Sequence, residues 1–381
     1  MKNVRLAFFL YFSYVSVGCI VSQLIPLIND VGYSAFEKSL ILGSGALFSF
    51  LMSLWLGKMS DTQGRIKPSF YISTFLYIIF MLLFYFLNSM FFKAVALAGL
   101  IGVSRTLMSS CETIVLLAKP ETFGKYQSMG ALGLISGSLL SAQLMPIGKG
   151  SLCLFSTLAS ICLIYKWPEE QKEKKEIKMQ DFLLLLKNKE YVGYLMIFFF
   201  LMLMGFADQY IVVDKMVKLK ASAGMISLKY ALQALMEIPV YLSIKKIFQK
   251  FSVSTLLIFC TLMSAIKFTL YGFVSVSYMI VAVSLLQIFT HPIIVVLSKK
   301  LIASCTPSHL IASSQIIGFA VYFGMSGFIA SLLGQGLITW FSFDIALYIF
   351  ASLALFPFLI WYFMRKYGKV GAVMKNENIS D

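Results

Sequence analysis

The chain has 381 residues, 59% of them hydrophobic and only 13% charged, with a formal net charge of +15. A soluble domain carries about 25% charged residues, so this much apolar side chain excludes a water-soluble globule and makes lipid the solvent. The lysines and arginines fall in short clusters between apolar runs, without the aromatic-interleaved basic surface of a nucleic-acid-binding domain.

The first apolar run, from Leu6 to about Ile28, is longer than a signal-peptide core and lacks a small-residue cleavage site, so it reads as a retained span. At about 20 apolar residues per span, twelve helices fit. The first six cover 6–28, 36–57, 69–88, 91–118, 124–147 and 150–166, and the second six cover 190–213, 223–244, 252–273, 275–298, 309–334 and 340–364. The expected architecture is therefore an all-α membrane protein of two six-helix bundles, at 1–165 and 190–364. They are joined by a charged cytoplasmic linker at 166–189 and followed by a cytoplasmic tail at 365–381. Most of the 32 lysines and arginines lie on the side that holds both termini and the linker, which the positive-inside rule assigns to the cytoplasm. The exception is the cluster Lys215, Lys218 and Lys220 on the other side. The six cysteines form no close pairs and read as buried thiols, with neither a disulfide framework nor a metal site indicated.

Between the second and third spans lies Gly57-Lys58-Met59-Ser60-Asp61-Thr62-Gln63-Gly64-Arg65-Ile66-Lys67-Pro68. The segment resembles the G-x-x-x-D-x-x-G-R-x-K/R loop of the major facilitator superfamily of transporters, with Gly57, Asp61, Gly64 and Arg65 in register. The resemblance implies a cytoplasmic gate in which Asp61 faces the start of the eleventh helix near Pro307, Ser308 and His309, where the partial positive charge of a helix N-terminus favours a carboxylate. After the eighth span, Ile244 to Phe251 occupies the place of a second such loop and keeps only its charge.

Ionisable residues inside spans are costly and so mark function. Arg105 and Glu112 share one face of the fourth span, and with Gln23, Gln143 and Gln287 they are the candidate substrate-binding residues. Asp208 in the seventh span, Glu237 in the eighth, Lys267 in the ninth and His291 in the tenth form a candidate proton-coupling set. Glu237 is expected to alternate between a protonated state and a pairing with Lys267.

The stretch Leu235-Met236-Glu237-Ile238-Pro239-Val240 resembles the E-I-P element of the sugar, nucleoside and phenylpropionate proton symporters, the lactose permease-like branch. Leu285 to Pro292 occupies the place of that branch's tenth-helix segment, and Phe123 to Ala131 resembles its motif at the start of the fifth helix. Departures are specific. Gln127 stands where an Arg is usual, Gln287 where a His is usual, and Lys267 where an Arg is usual.

The resemblance implies a monomeric, multi-pass transporter of a cell inner membrane. It would use no cofactor, work by alternating access and couple protons to uptake of a sugar, nucleoside or aromatic acid. Drug or metabolite efflux in exchange for protons is the rival reading, although the fifth span carries Gly130, Gly133 and Gly137 without the proline usual in that branch. A non-transporting sensor or assembly factor is the rival of another class. An enzyme is not expected, since His291 and His309 have no nucleophile or paired acid at a recognisable spacing, and no phosphate-binding Gly-rich loop is present.

Overall fold

The structure is a computed structural model that describes residues 2–119, 122–144, 146–165, 167, 185–306 and 311–367. No strand occurs among the described residues, and apart from a helical turn at 185–187 their helices form twelve rods in chain order. The first half holds α1 (Lys2–Val21, resumed as Leu24–Val31), α2 (Ala35–Gln63), α3 (Lys67–Phe86), α4 (Met90–Ala118), α5 (Phe123–Gln143) and α6 (Pro146–Tyr165). The second half holds α7 (Lys189–Lys218), α8 (Ala223–Lys250) and α9 (Val253–Phe273). It continues with α10 (Ser277–Ser284 and His291–Ser304), α11 (Ile311–Phe319 and Ser326–Trp340) and α12 (Phe343–Ser352 and Leu355–Tyr367). Most of the linker 166–189, and the tail beyond residue 367, lie outside the described residues.

Ten of the rods are long and apolar enough to cross a membrane. The two that fall short, α5 and α8, are the most polar, carrying glycines, serines, Gln127, Lys229, Gln233 and Glu237. They pack against each other along the seam between the halves, and α2 packs against α11 in the same way. Polar faces that lipid would not tolerate are thus covered by protein. Within the first half, α5 runs close against α1. A Cβ at Gly133 or Gly137 would strike the carbonyl oxygens of Tyr11 and Val15, so only glycine permits this approach.

Helix ends are closed by polar side chains. Asn188 caps α7 by accepting from the backbone N–H groups of Glu190 and Tyr191 at 3.0 and 3.3 Å. Arg5 donates from Nε to the Leu163 carbonyl at 2.5 Å, which satisfies the end of α6. The loop predicted at 57–68 is shorter than expected. Helix α2 continues to Gln63, so Gly57 lies inside it. Gly64 then adopts the left-handed conformation at φ 65°, and the Arg65 N–H reaches back to the Ser60 carbonyl at 3.1 Å. This is a glycine-terminated helix C-cap. The expected contact of Asp61 with the start of α11 lies outside the described residues, because residues 307–310 and the Asp61 side chain are not among them.

The anomalous cations on the minority face have structural uses. Lys215 donates to the Tyr271 and Gly272 carbonyls at 2.7 and 3.3 Å, closing the end of α9, and pairs with Asp344 at 2.7 Å. Lys218 lies 5.0 Å over the Phe343 ring. Lys38 pairs with Asp214 at 2.8 Å across the seam, and both side chains are buried.

Replacing Gly137 with alanine is expected to destabilise the protein by about 1–3 kcal/mol through overpacking against α1. The control is Gly336→Ala, where a Cβ meets nothing within 4 Å and stability is expected to hold or rise. Thermal unfolding of the two variants in detergent checks the contrast, and equal melting temperatures would contradict it.

Candidate functional site

One cavity between the halves brings together Arg105, Glu112, Asp208, Glu237, Lys267, Gln287 and His291, which the sequence had scattered over five spans. Its walls come from α1, α4 and α5 on one side and from α7 to α11 on the other.

The wall from the second half is one continuous polar network. Asp208 is buried on α7 and accepts from Gln233 Nε2 at 2.7 Å. Two ammonium groups hold it, Lys229 and Lys267, each at 3.1 Å. Lys267 Nζ also donates to Gln287 Oε1 at 2.7 Å. The Gln287 amide in turn donates to Glu237 Oε1 at 3.4 Å, and His291 Nδ1 stands 2.9 Å from the same oxygen. Tyr241 donates its hydroxyl to Glu237 Oε2 at 3.3 Å.

Local helix geometry makes this convergence possible. Lys229, Gln233, Glu237 and Tyr241 recur at one-turn spacing and form a single stripe on α8. Helix α10 is not the continuous span expected at 275–298. It tightens into a 3₁₀ turn at Leu285–Phe289, breaks at Thr290 with φ −123° and ψ −90°, and restarts at His291 with Pro292 in its first turn. The break frees the chain to present Gln287 and His291 together to Glu237. Proline at the first turn is compatible with a helix start and cannot continue the preceding ladder.

The opposite wall centres on Glu112. Its Oε1 accepts from the Tyr14 hydroxyl at 2.5 Å and from Gln127 Nε2 at 3.0 Å. Its Oε2 pairs with Lys299 of α10 at 3.0 Å, so this carboxylate ties the two halves together. Arg105 stands two turns away on the same face of α4. It donates from Nη2 to the Tyr210 hydroxyl, and its guanidinium lies 4.2 Å over the Phe206 ring.

Several expectations change. Lys267 is paired with Asp208 and reaches Glu237 only through Gln287, because the α10 break inserts that amide between them. Gln23 does not line the cavity. It is buried at the break in α1, where its amide donates to Ser227 Oγ at 2.7 Å and links the halves beyond the cavity. Gln143 does not line it either, since it is exposed at the last residue of α5. Neither position suits substrate binding at this site.

The sequence reading missed Lys229, Tyr14, Tyr210 and Lys299. Lys229 had a visible signal, being a lysine within a span and two turns before Glu237. Lys299 was hidden in a basic pair that read as a topology anchor. The tyrosines offered no signal, because nothing in a Tyr-rich apolar chain marks which hydroxyls face inward.

The family model of the MFS_1 like family matches residues 3–365. No curated protein matches the sequence. The fold is similar to the crystal structure of the nucleoside transporter NupG, with a TM-score of 0.76 at 13% identity over 96% of this chain and 99% of that one. It is also similar to a POT family transporter in complex with a thioalcohol-conjugated peptide, with a TM-score of 0.75 at 11% identity over 95% of each chain. A third similar structure is the human organic anion transporter MFSD10 (TETRAN), with a TM-score of 0.69 at 14% identity over 94% of this chain and 98% of that one. At such identities the likeness is one of fold, and these relatives are transporters rather than enzymes. With nearly its whole length matched by the family model and its helices arranged around one central cavity, the chain belongs to the MFS_1-like family and is a secondary transporter of the major facilitator type.

Proposed function

We propose that this transporter takes up a small polar organic solute, of the sugar, nucleoside or aromatic-acid kind, together with protons across a cell inner membrane. Both termini would face the cytoplasm, in keeping with the excess of cations on that side. The observation that carries this reading is the chain Lys267–Gln287–Glu237–His291 in the cavity wall. A proton arriving at Glu237 cancels its charge, weakens its hold on His291 and leaves the Gln287 amide free to turn. A change of protonation at one carboxylate is thereby passed to groups on α9 and α10. The similarity to a nucleoside transporter and to an organic anion transporter supports a small organic cargo.

Alternating access requires contacts between the halves that form on one face and break on the other. On the face away from the N-terminus, such contacts are the Lys38–Asp214 pair and the Gln23–Ser227 hydrogen bond. Asn29 and Gln335 also approach Asp214, at 3.5 and 3.4 Å. These residues act in the proposal as the clamp that holds this face shut. The gate assigned to Gly57, Asp61, Gly64 and Arg65 would serve the cytoplasmic face. Asp208, held by two lysines, would keep the coupling residues in place.

Glu237→Gln is expected to reduce proton-driven accumulation in proteoliposomes to the equilibrium level while leaving counterflow exchange intact. Uphill transport at the normal rate in that variant would refute the coupling role. Accumulation of substrate by energised inside-out vesicles would refute uptake itself.

Asp214→Asn leaves Lys38 buried without its counter-charge, a change that costs about 3–5 kcal/mol when a buried pair is broken on one side. The expected results are a lower melting temperature and faster maleimide labelling of a cysteine placed at Ser227. The double replacement Lys38→Met with Asp214→Leu is expected to recover much of the stability. Unchanged labelling in Asp214→Asn would show that the pair does not hold this face closed.

A further inference from the structure

The charged groups around the cavity do not balance, and the imbalance has an address. Every carboxylate that lines it already has a basic neighbour. Glu112 pairs with Lys299 at 3.0 Å, Asp208 with both Lys229 and Lys267 at 3.1 Å, and Glu237 with His291 at 2.9 Å. Arg105 has no carboxylate partner among the described residues. Its Nη2 is spent on the neutral Tyr210 hydroxyl, and its buried Nη1 has no acceptor.

A guanidinium at this depth in a membrane protein is costly without a counter-ion, and a ring face and a phenol compensate only part of that cost. Arginine is also the side chain whose planar fork matches a carboxylate. Lys267, which lines the same chamber, shares the single carboxylate of Asp208 with the buried Lys229, which adds to the positive excess around it.

We propose that the cargo is a small amphiphilic monoanion whose carboxylate is held by Arg105. The inference deepens the reading above and rests on it in taking this cavity as the place where cargo binds. The apolar part of such a solute has a surface to lie on. The Phe206 ring beneath Arg105 meets Phe323 edge-on at 5.7 Å, and Phe319 stacks on Phe323 at 4.5 Å, all three lining the cavity. The position of the guanidinium also fits a role in coupling the halves. A Cβ at Gly327 of α11 would come within 2.7 Å of Arg105 Nη1, so the α4 arginine reaches across the seam to α11, and a side chain at 327 would push the guanidinium aside. An anion bound there touches both halves at once.

The test is equilibrium binding to the purified full-length protein in detergent, read by thermal shift. The ligands are acetate, hexanoate and benzoate, each set against its amide. Hexanoate and benzoate are expected to raise the melting temperature at concentrations where hexanamide and benzamide do not, with acetate weaker than either. Arg105→Gln is expected to weaken carboxylate binding by about tenfold or more, the loss of one charge-assisted pair, while Arg105→Lys retains part of it.

Should Arg105→Gln fail to fold, the comparison of acids with amides on the unaltered protein still decides. Gly327→Ala then adds a second variant, which displaces the guanidinium without removing its charge and is expected to weaken the acids selectively. Amides binding as well as acids, no acid binding at all, or full acid affinity in Arg105→Gln would each overturn the proposal. No proton gradient enters this measurement, so failure of proton coupling in proteoliposomes would leave its outcome standing, and the reverse also holds.

Discussion

A charge placed at the centre of a bilayer has no water to compensate it, and the whole middle of this molecule is organised by that constraint. Asp208 lies buried between Lys229 and Lys267, with Gln233 supplying a further donor. Those four groups come from three helices, so α7, α8 and α9 cannot move independently without exposing an unpaired charge. Glu112 imposes the same condition across the seam, because its partners Tyr14, Gln127 and Lys299 belong to α1, α5 and α10. Polar pairing in this protein therefore fixes the register between helices, while apolar side chains, which lipid solvates as well as protein does, contribute packing and little direction.

Irregular helix geometry follows the same logic. The break in α10 at Thr290 and the π turn at Ala320–Met325 in α11 both lie beside the cavity, where neighbouring helices rather than lipid surround the freed backbone groups. The break in α10 has a direct consequence, because it inserts Gln287 between Lys267 and Glu237. The wall then becomes a relay of weak, exchangeable contacts instead of one strong ion pair. Such a relay suits a site that must change its charge state and then return.

Close approach supplies the complementary rigid parts. Helix α5 touches α1 through Gly133 and Gly137 and meets α8 through its remaining polar face. It is thus firmly seated in its own half and turns its polar face to the seam. The cations on the minority face are equally fixed, with Lys215 closing α9 and Lys38 holding Asp214. Lys215, Lys218 and Lys38 depart from the positive-inside pattern and are each engaged in a structural contact.

How much of this was legible beforehand follows from what each feature depends on. The lipid solvent, the all-α fold and the family were readable, because hydropathy is a sum over local sequence and the Gly57–Arg65 motif is contiguous. So were most of the ionisable residues around the cavity, since a charge within an apolar run announces its own cost, although Lys229 was overlooked despite that signal and Lys299 was masked by its basic neighbour. Pairing was not readable. Lys267 chose Asp208 over Glu237, Glu112 took Lys299 in preference to its helix neighbour Arg105, and Gln23 and Gln143 were turned away from the cavity. Each of those choices depends on how rods from distant parts of the chain rotate against one another and where α10 breaks. The sequence by itself determined which groups need partners, through burial cost carried residue by residue. Only the tertiary structure decided which partners they received, because pairing distance is set by interhelical geometry that no local window contains.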